Sequence, residues 1–310
     1  VARGVHASEK GIIRTNKGGI PRFKFKRKLA LLAMKNGQSR EQEPYFSGFS
    51  AVPGSVKEKL YPDGLPFYHA HDPMATTICV CLHGFTATPY EASPVAEACF
   101  SAGFDTVAPL LPGHGYANLD DQHEHIVRMT FDGTVEATRA EISIAREKYE
   151  HVFIYGQSLG GALALMMAEE GLVDACATTA PAIKLPLGAG LATVLFGRVD
   201  INMNKKVRKS FYNASYPFNN SIAGVAVQRI ALEARKNLER ITCPVLVCHS
   251  HKDSTINPVV PLWIQQRSHG SVEVTWFDES NHTMPLDVQG TEISDTIARF
   301  FKRQIDILYP

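Results

Sequence analysis

Apolar and polar positions change period several times along this chain, and each change marks an element. Thr76 to Leu82 and Thr106 to Leu111 are short, continuously apolar runs, the pattern of strands covered on both faces. Val152 to Tyr155, Asp174 to Ala180, Val245 to His249 and Val272 to Phe277 read the same way, rich in β-branched or aromatic residues. Pro66 to His69 reads as a short edge strand. Helical patterns lie between them. Residues 90–102 carry Ala and Glu and stop at Gly103, Thr130 to Tyr149 is long and amphipathic, Ala162 to Glu170 is built of good helix formers, and Ile293 to Leu308 closes the chain. Strand alternating with helix predicts an α/β fold, a mostly parallel central sheet with right-handed crossovers and helices on both faces.

Two stretches break the alternation. Residues 183–240 are punctuated by Pro186, Gly188, Gly190, Asn202, Asn204, Asn213, Pro217, Asn219 and Asn220, and end in a helix from about Ile222 to Arg240. They read as an insertion over the ligand-binding edge of the sheet, a helical cap that shields a site from water. Residues 45–64, with Pro53, Gly54, Pro62 and Gly64, read as a turn-rich linker. The expected division is a basic extension over 1–44, a first part of the core over 45–182, the cap over 183–240 and the second part of the core over 241–310.

Composition changes this picture only at the beginning of the chain. The 310 residues suffice for one large α/β domain with an insertion, and 45% hydrophobic with 20% charged residues is ordinary for a globular protein. A net charge of +1 suggests neither a nucleic-acid partner nor a strongly acidic substrate. That small value hides an asymmetry: residues 1–40 hold six Lys and five Arg against Glu9, so +10, and the remainder carries −9. Within the basic stretch Phe25, Leu29 and Leu32 fall at helical spacing. The stretch either lies on an anionic membrane surface, or is a solvated arm or a helix packed on its own domain or a partner subunit; the membrane reading is the less favoured because so short a face buries little area. No apolar run reaches the ~20 residues of a membrane span. The six cysteines sit mostly in apolar runs without C-x-x-C spacing, which suits a reducing compartment and no structural zinc. The expected location is cytoplasmic, peripheral to a membrane if the arm binds one.

The chemistry starts at Gly156-Gln157-Ser158-Leu159-Gly160-Gly161, a G-x-S-x-G pattern between an apolar strand and a helix. A serine there sits on a sharp turn that lifts its hydroxyl clear of the sheet. Side chains at 156 or 160 would crowd the turn. A serine hydroxyl needs a base, and the base an orienting acid, in the chain order Ser, Asp or Glu, His for this kind of sheet. Asp253 follows the Val245–His249 strand and His282 follows the Val272–Phe277 strand, so both emerge on the edge that carries Ser158. Ser158 is the candidate nucleophile, His282 the base and Asp253 its orienting acid. Leu159, at the helix start, offers a backbone N–H to an oxyanion, and Phe85, after His83-Gly84, offers a second. Leu191, Leu195, Phe196, Phe211 and Tyr212 are candidate pocket residues, with packing inside the cap the competing role for each. His83 and His114 read as loop braces. The H-x-H pairs His123/His125 and His249/His251 lack a carboxylate constellation, so no metal is expected.

His83-Gly84-Phe85-Thr86, Pro112-Gly113-His114-Gly115, the Gly156–Gly161 turn, His251-Lys252-Asp253 with Ile256-Asn257-Pro258, and Asn281-His282 together resemble the α/β-hydrolase superfamily. Within it, the chain is similar to small bacterial carboxylesterases and monoacylglycerol lipases from about Leu65 onward. The resemblance implies the α/β-hydrolase fold with an inserted cap, and cofactor-free hydrolysis of short- to medium-chain acyl esters or monoacylglycerols. It also implies that Phe85 and Leu159 supply the oxyanion hole. Residues 1–64 have no counterpart in the smallest family members, and Gln157 stands where those enzymes commonly carry a hydrophobic residue. A thioesterase or acyltransferase using the same three residues is the alternative.

Overall fold

A computed structural model of the chain describes residues 44–186, 199–205 and 211–308. The basic extension, and the pocket candidates Leu191, Leu195 and Phe196, lie outside the described residues.

The apolar runs pair into a seven-stranded sheet. Its strands are β1 (Phe67–His69), β2 (Thr77–Leu82), β3 (Asp105–Ala108), β4 (His151–Gln157), β5 (Ala175–Thr179), β8 (Val245–Ser250) and β9 (Val272–Phe277), in the order β1-β3-β2-β4-β5-β8-β9. Only β1, at one edge, runs antiparallel to its neighbour. Alternate side chains of each continuous run feed different cores. Ile78, Val80, Leu82, Val152 and Ile154 point into one, with Leu163, Ile230 and Ile264 from the covering helices. Cys79, Cys81, Phe153 and Tyr155 point into the other, with Val95, Ile297 and Phe301. That double burial is why the strands carry no polar alternation.

The helices Pro89–Ser101 and Gly290–Leu308 pack together over one face, and Leu159–Glu169 packs with Phe131–Lys148 and Ser221–Lys236 over the other. The helix Leu159–Glu169 is buried along its whole length. Its last residue, Glu169, has an unpartnered Oε1, and burial, then Glu239 and Glu170, push its carboxyl up to about 9. A folded-state value above the unfolded ~4.3 means that this group costs stability increasingly as pH rises from about 4 toward 9. Glu169→Gln is therefore expected to stabilise the fold at pH 7 by about 1–2 kcal/mol, with no gain at pH 4. Thermal melts at the two pH values check this; a gain of equal size at both would refute the titration argument.

The structure departs from the sequence expectations in four places. Residues 45–64 are not a linker. Tyr45 Oη and Ser47 Oγ donate to Glu141 Oε2 at 2.6 and 2.7 Å, Gly48 N donates to Glu141 Oε1 at 3.0 Å, and Phe46 and Leu60 are buried. Strand β3 stops at Ala108 instead of Leu111, and Leu110 instead exchanges backbone hydrogen bonds with Phe46. The helices Leu119–Ile126 and Val259–Arg267 were not anticipated; both are short, and the first is capped by Asn118, whose side chain accepts from Asp120 N at 2.8 Å. The inserted stretch contains an antiparallel ribbon of β6 (Asn202–Asn204) and β7 (Phe218–Asn220), while its closing helix, Ser221–Lys236, buries Ala223, Val227 and Ile230 in the main core. Asparagines mask both strands of the ribbon, because their usual place is a turn.

All six cysteines are free. No helix among the described residues is long and apolar enough to cross a membrane.

Candidate active site

Parallel strands present their carboxyl ends at one edge, and four loops converge there. Ser158 follows β4, Phe85 follows β2, Asp253 follows β8 and His282 follows β9. Ser158 has φ 52° and ψ −109°, a left-handed conformation costly for a residue with a side chain. The surrounding glycines permit it. A Cβ on Gly156 would lie 2.1 Å from Gly160 O, and one on Gly160 would lie 2.4 Å from Leu82 O. Backbone thus packs directly on backbone, and Ser158 N is anchored to Thr179 O at 3.0 Å.

Ser158 Oγ lies 2.9 Å from His282 Nε2, and His282 Nδ1 lies 3.0 Å from Asp253 Oδ2. A carboxylate accepts, so Nδ1 carries the proton and Nε2 is free to accept from the serine hydroxyl. The Asp253 side chain is fully buried. Burial pushes its carboxyl up, but the adjacent His282 ring and the N–H groups of Ile256 and Thr255, which donate to Oδ1, together hold it below the usual carboxylate value. A hydroxyl, an imidazole and a carboxylate in this series move a proton off the hydroxyl as it attacks.

Phe85 and Leu159 both line the cavity in front of Ser158. Leu159 N opens a helix, where no intrahelical acceptor exists. The loop carrying Phe85 is tightly specified. Gly84 N donates to Glu91 Oε2 at 2.7 Å, and Thr86, at φ 59°, donates through Oγ1 to Phe85 O at 2.6 Å. His83 Nε2 accepts from Leu111 N at 3.1 Å while Nδ1 donates to Gly84 O at 2.9 Å, so the ring is neutral and structural. Burial, and then His114, push its pKa well below that of free histidine.

Gln157 shows what the sequence reading missed. Its Nε2 donates to the carbonyl of His282 at 2.6 Å, its Oε1 accepts from Thr179 Oγ1, and Tyr155 Oη in turn donates to that hydroxyl at 2.7 Å. The residue beside Ser158 thereby holds the backbone of the loop that carries His282. The only signal in the sequence was a polar residue in a position expected to be apolar. Gln157→Leu is expected to lower kcat about tenfold or more with little change in KM, because a small displacement of the imidazole misaligns proton transfer. Retained kcat in a variant that folds would show that His282 is held by other contacts.

The cavity has a volume of about 800 Å³. Phe211 lines it, whereas Tyr212 is exposed and packs against Tyr90 with ring centres 5.2 Å apart. Glu91 and Lys205 also line it, and neither was anticipated, since one reads as a first-turn acid and the other as a surface lysine. Of the H-x-H pairs, His125 stacks on Tyr116 and His251 on Trp276.

The family model of the alpha/beta hydrolases matches residues 79–296. The chain is 26% identical over 246 residues to a thermostable monoacylglycerol lipase of Bacillus sp. (strain H-257), covering 77% of this chain and 94% of that one. Among solved structures, it superposes on one of the metagenome-derived lipolytic enzymes LipS and LipT with a TM-score of 0.72 at 21% identity, covering 79% of this chain and 99% of that one. It superposes on the monoacylglycerol lipase of Paleococcus ferrophilus with a TM-score of 0.63 at 19% identity, covering 79% and 99%. A model match that runs from the second strand of the sheet into its closing helix, over a sheet of this topology, leaves one assignment: the chain belongs to the alpha/beta hydrolase family and is a hydrolase.

Proposed function

We propose that this hydrolase is a serine carboxylesterase acting on short- to medium-chain acyl esters, monoacylglycerols among them. The observation that carries the reading is the series of 2.9 and 3.0 Å contacts from Ser158 through His282 to Asp253, opening on one cavity. His282 Nε2 takes the proton of Ser158 as Oγ attacks the ester carbonyl. Asp253 holds the ring in the Nδ1–H tautomer and stabilises the imidazolium. The oxyanion is held by the N–H groups of Phe85 and Leu159, each worth about 3–4 kcal/mol of barrier. His282 then protonates the departing alcohol, leaving an acyl group on Ser158. Water, deprotonated by the same ring, releases the acid and regenerates the serine.

The inserted stretch contributes Met203, Lys205, Phe211 and Tyr216 to the lining of this cavity. A mixed lining of this kind suits an apolar acyl chain joined to a polar alcohol. The test is a panel of p-nitrophenyl esters from two to sixteen carbons with matched thioesters and monoacylglycerols. Turnover is expected to peak among the short and medium oxygen esters. A clear preference for thioesters would transfer the same machinery to a thioesterase, and no turnover of any ester would end the proposal.

A further inference from the structure

One wall of the cavity carries a charge that ester cleavage does not use. Lys205 continues strand β6, its backbone N donating to Pro217 O at 2.8 Å, so its position is fixed by the ribbon. The side chain reaches across the cavity to the loop after β2, where Nζ donates to Thr86 Oγ1 at 2.8 Å. An ammonium has three donors, and Thr86 satisfies one. No ion pair joins Lys205 to any carboxylate among the described residues. Glu91 is the acid whose field reaches it, and Glu91 is already committed. Its Oε2 receives Gly84 N at 2.7 Å, and its Oε1 faces Asn213 Nδ2 at 3.4 Å. Burial pushes the Lys205 ammonium down to about 8 and the Glu91 carboxyl up, the behaviour of groups removed from water without a close counter-charge.

Asn219 stands on the same wall. Its side-chain amide lies 3.3 Å from Thr86 Oγ1 and lines the cavity. A cation and an amide therefore line the space in front of Ser158, both beside Thr86, the residue adjoining Phe85. Holding a cation in a sheltered site is costly unless an anion meets it there.

We propose that Lys205, with Asn219, forms a subsite for an anionic group of the substrate, a carboxylate or a phosphate, joined to the ester by a short spacer. The proposal rests on the esterase reading above and narrows it: the preferred substrates are acidic esters. The negative group belongs either to the acid or to the alcohol, and the chemistry of the subsite is the same for both.

Three glycerol esters with four-carbon acyl groups separate the cases: 1-butyrylglycerol, neutral; glyceryl hemisuccinate, with the charge on the acyl side; and 1-butyrylglycerol 3-phosphate, with the charge on the alcohol. The quantity read is the ratio of kcat/KM for each anionic ester to that for butyrylglycerol, in the full chain and in its Lys205→Met and Lys205→Arg variants. The unaltered protein is expected to favour one anionic ester, whose identity gives the side. Its ratio should fall at least about tenfold in Lys205→Met, the order of one charge-assisted hydrogen bond, and be partly restored in Lys205→Arg. Ratios equal in all three proteins, or a uniform preference for the neutral ester, overturn the subsite and leave the esterase reading standing. A second measurement needs no turnover: succinate and glycerol 3-phosphate should raise the melting temperature of the full chain more than that of Lys205→Met. Equal shifts overturn the subsite even where no ester is cleaved, a result that would also remove the esterase reading.

Discussion

Replacing Ser158 by Ala is expected to lower kcat on p-nitrophenyl butyrate by about 10⁶, the order lost when a serine nucleophile is removed from such a relay. The geometry makes the size of the loss specific. Ser158 Oγ is the oxygen 2.9 Å from His282 Nε2, at the tip of the turn between β4 and its helix. Alanine fits the same backbone, because the left-handed φ is stabilised by Gly156, Gly160 and the bond from residue 158 N to Thr179 O, none of which involves the hydroxyl. The variant should thus fold with a stability unchanged to within about 0.5 kcal/mol, the usual range for a substitution that removes no packing. Turnover above a hundredth of the original rate, in protein shown free of the unmutated form, would remove Ser158 from the mechanism.

Asp253→Asn is expected to leave the fold in place and depress kcat by about 10⁴. An amide at 253 offers His282 either an N–H or a carbonyl, and the N–H turns the ring into the tautomer whose Nε2 is protonated and unable to act as base. The same substitution reads out the electrostatics. The Asp253 carboxyl is held below its unfolded value, so its contribution to stability is complete above about pH 4 and is lost as pH falls through the lower folded value. Acid unfolding curves of the two proteins should therefore converge at low pH and separate toward neutrality. An Asn variant with full activity at pH 7 would point to another acid.

How far the chain could be read in advance differs between its parts for physical reasons. The β4 strand and the helix after Ser158 announce themselves locally, because a short β-branched run followed by a run of helix formers has few other uses. Chain order then singled out Asp253 and His282, since parallel strands oblige the loops after β8 and β9 to emerge beside the loop after β4. Short helices such as Leu119–Ile126 escaped because eight residues hold barely two turns of pattern. The β6–β7 ribbon escaped because Asn202, Asn204, Asn219 and Asn220 are turn residues by propensity and strand residues here by pairing. Residues 45–64 escaped because Pro and Gly suggest a tether, while the contacts that dock them are made to Glu141, nearly a hundred residues away.

The layered α/β architecture, the strand that presents Ser158 and the identity of the loops that meet it are all legible from residue order alone. Periodicity and chain order are local or topological properties, and they survive without coordinates. Folding in three dimensions is what makes Gln157 grip the carbonyl of His282, Glu91 hold the loop of Phe85, and Lys205 line the cavity. Each of those roles depends on burial and on a partner distant in the chain. A glutamine, a glutamate and a lysine carry no mark in their sequence neighbourhood of which groups will surround them when the chain closes on itself.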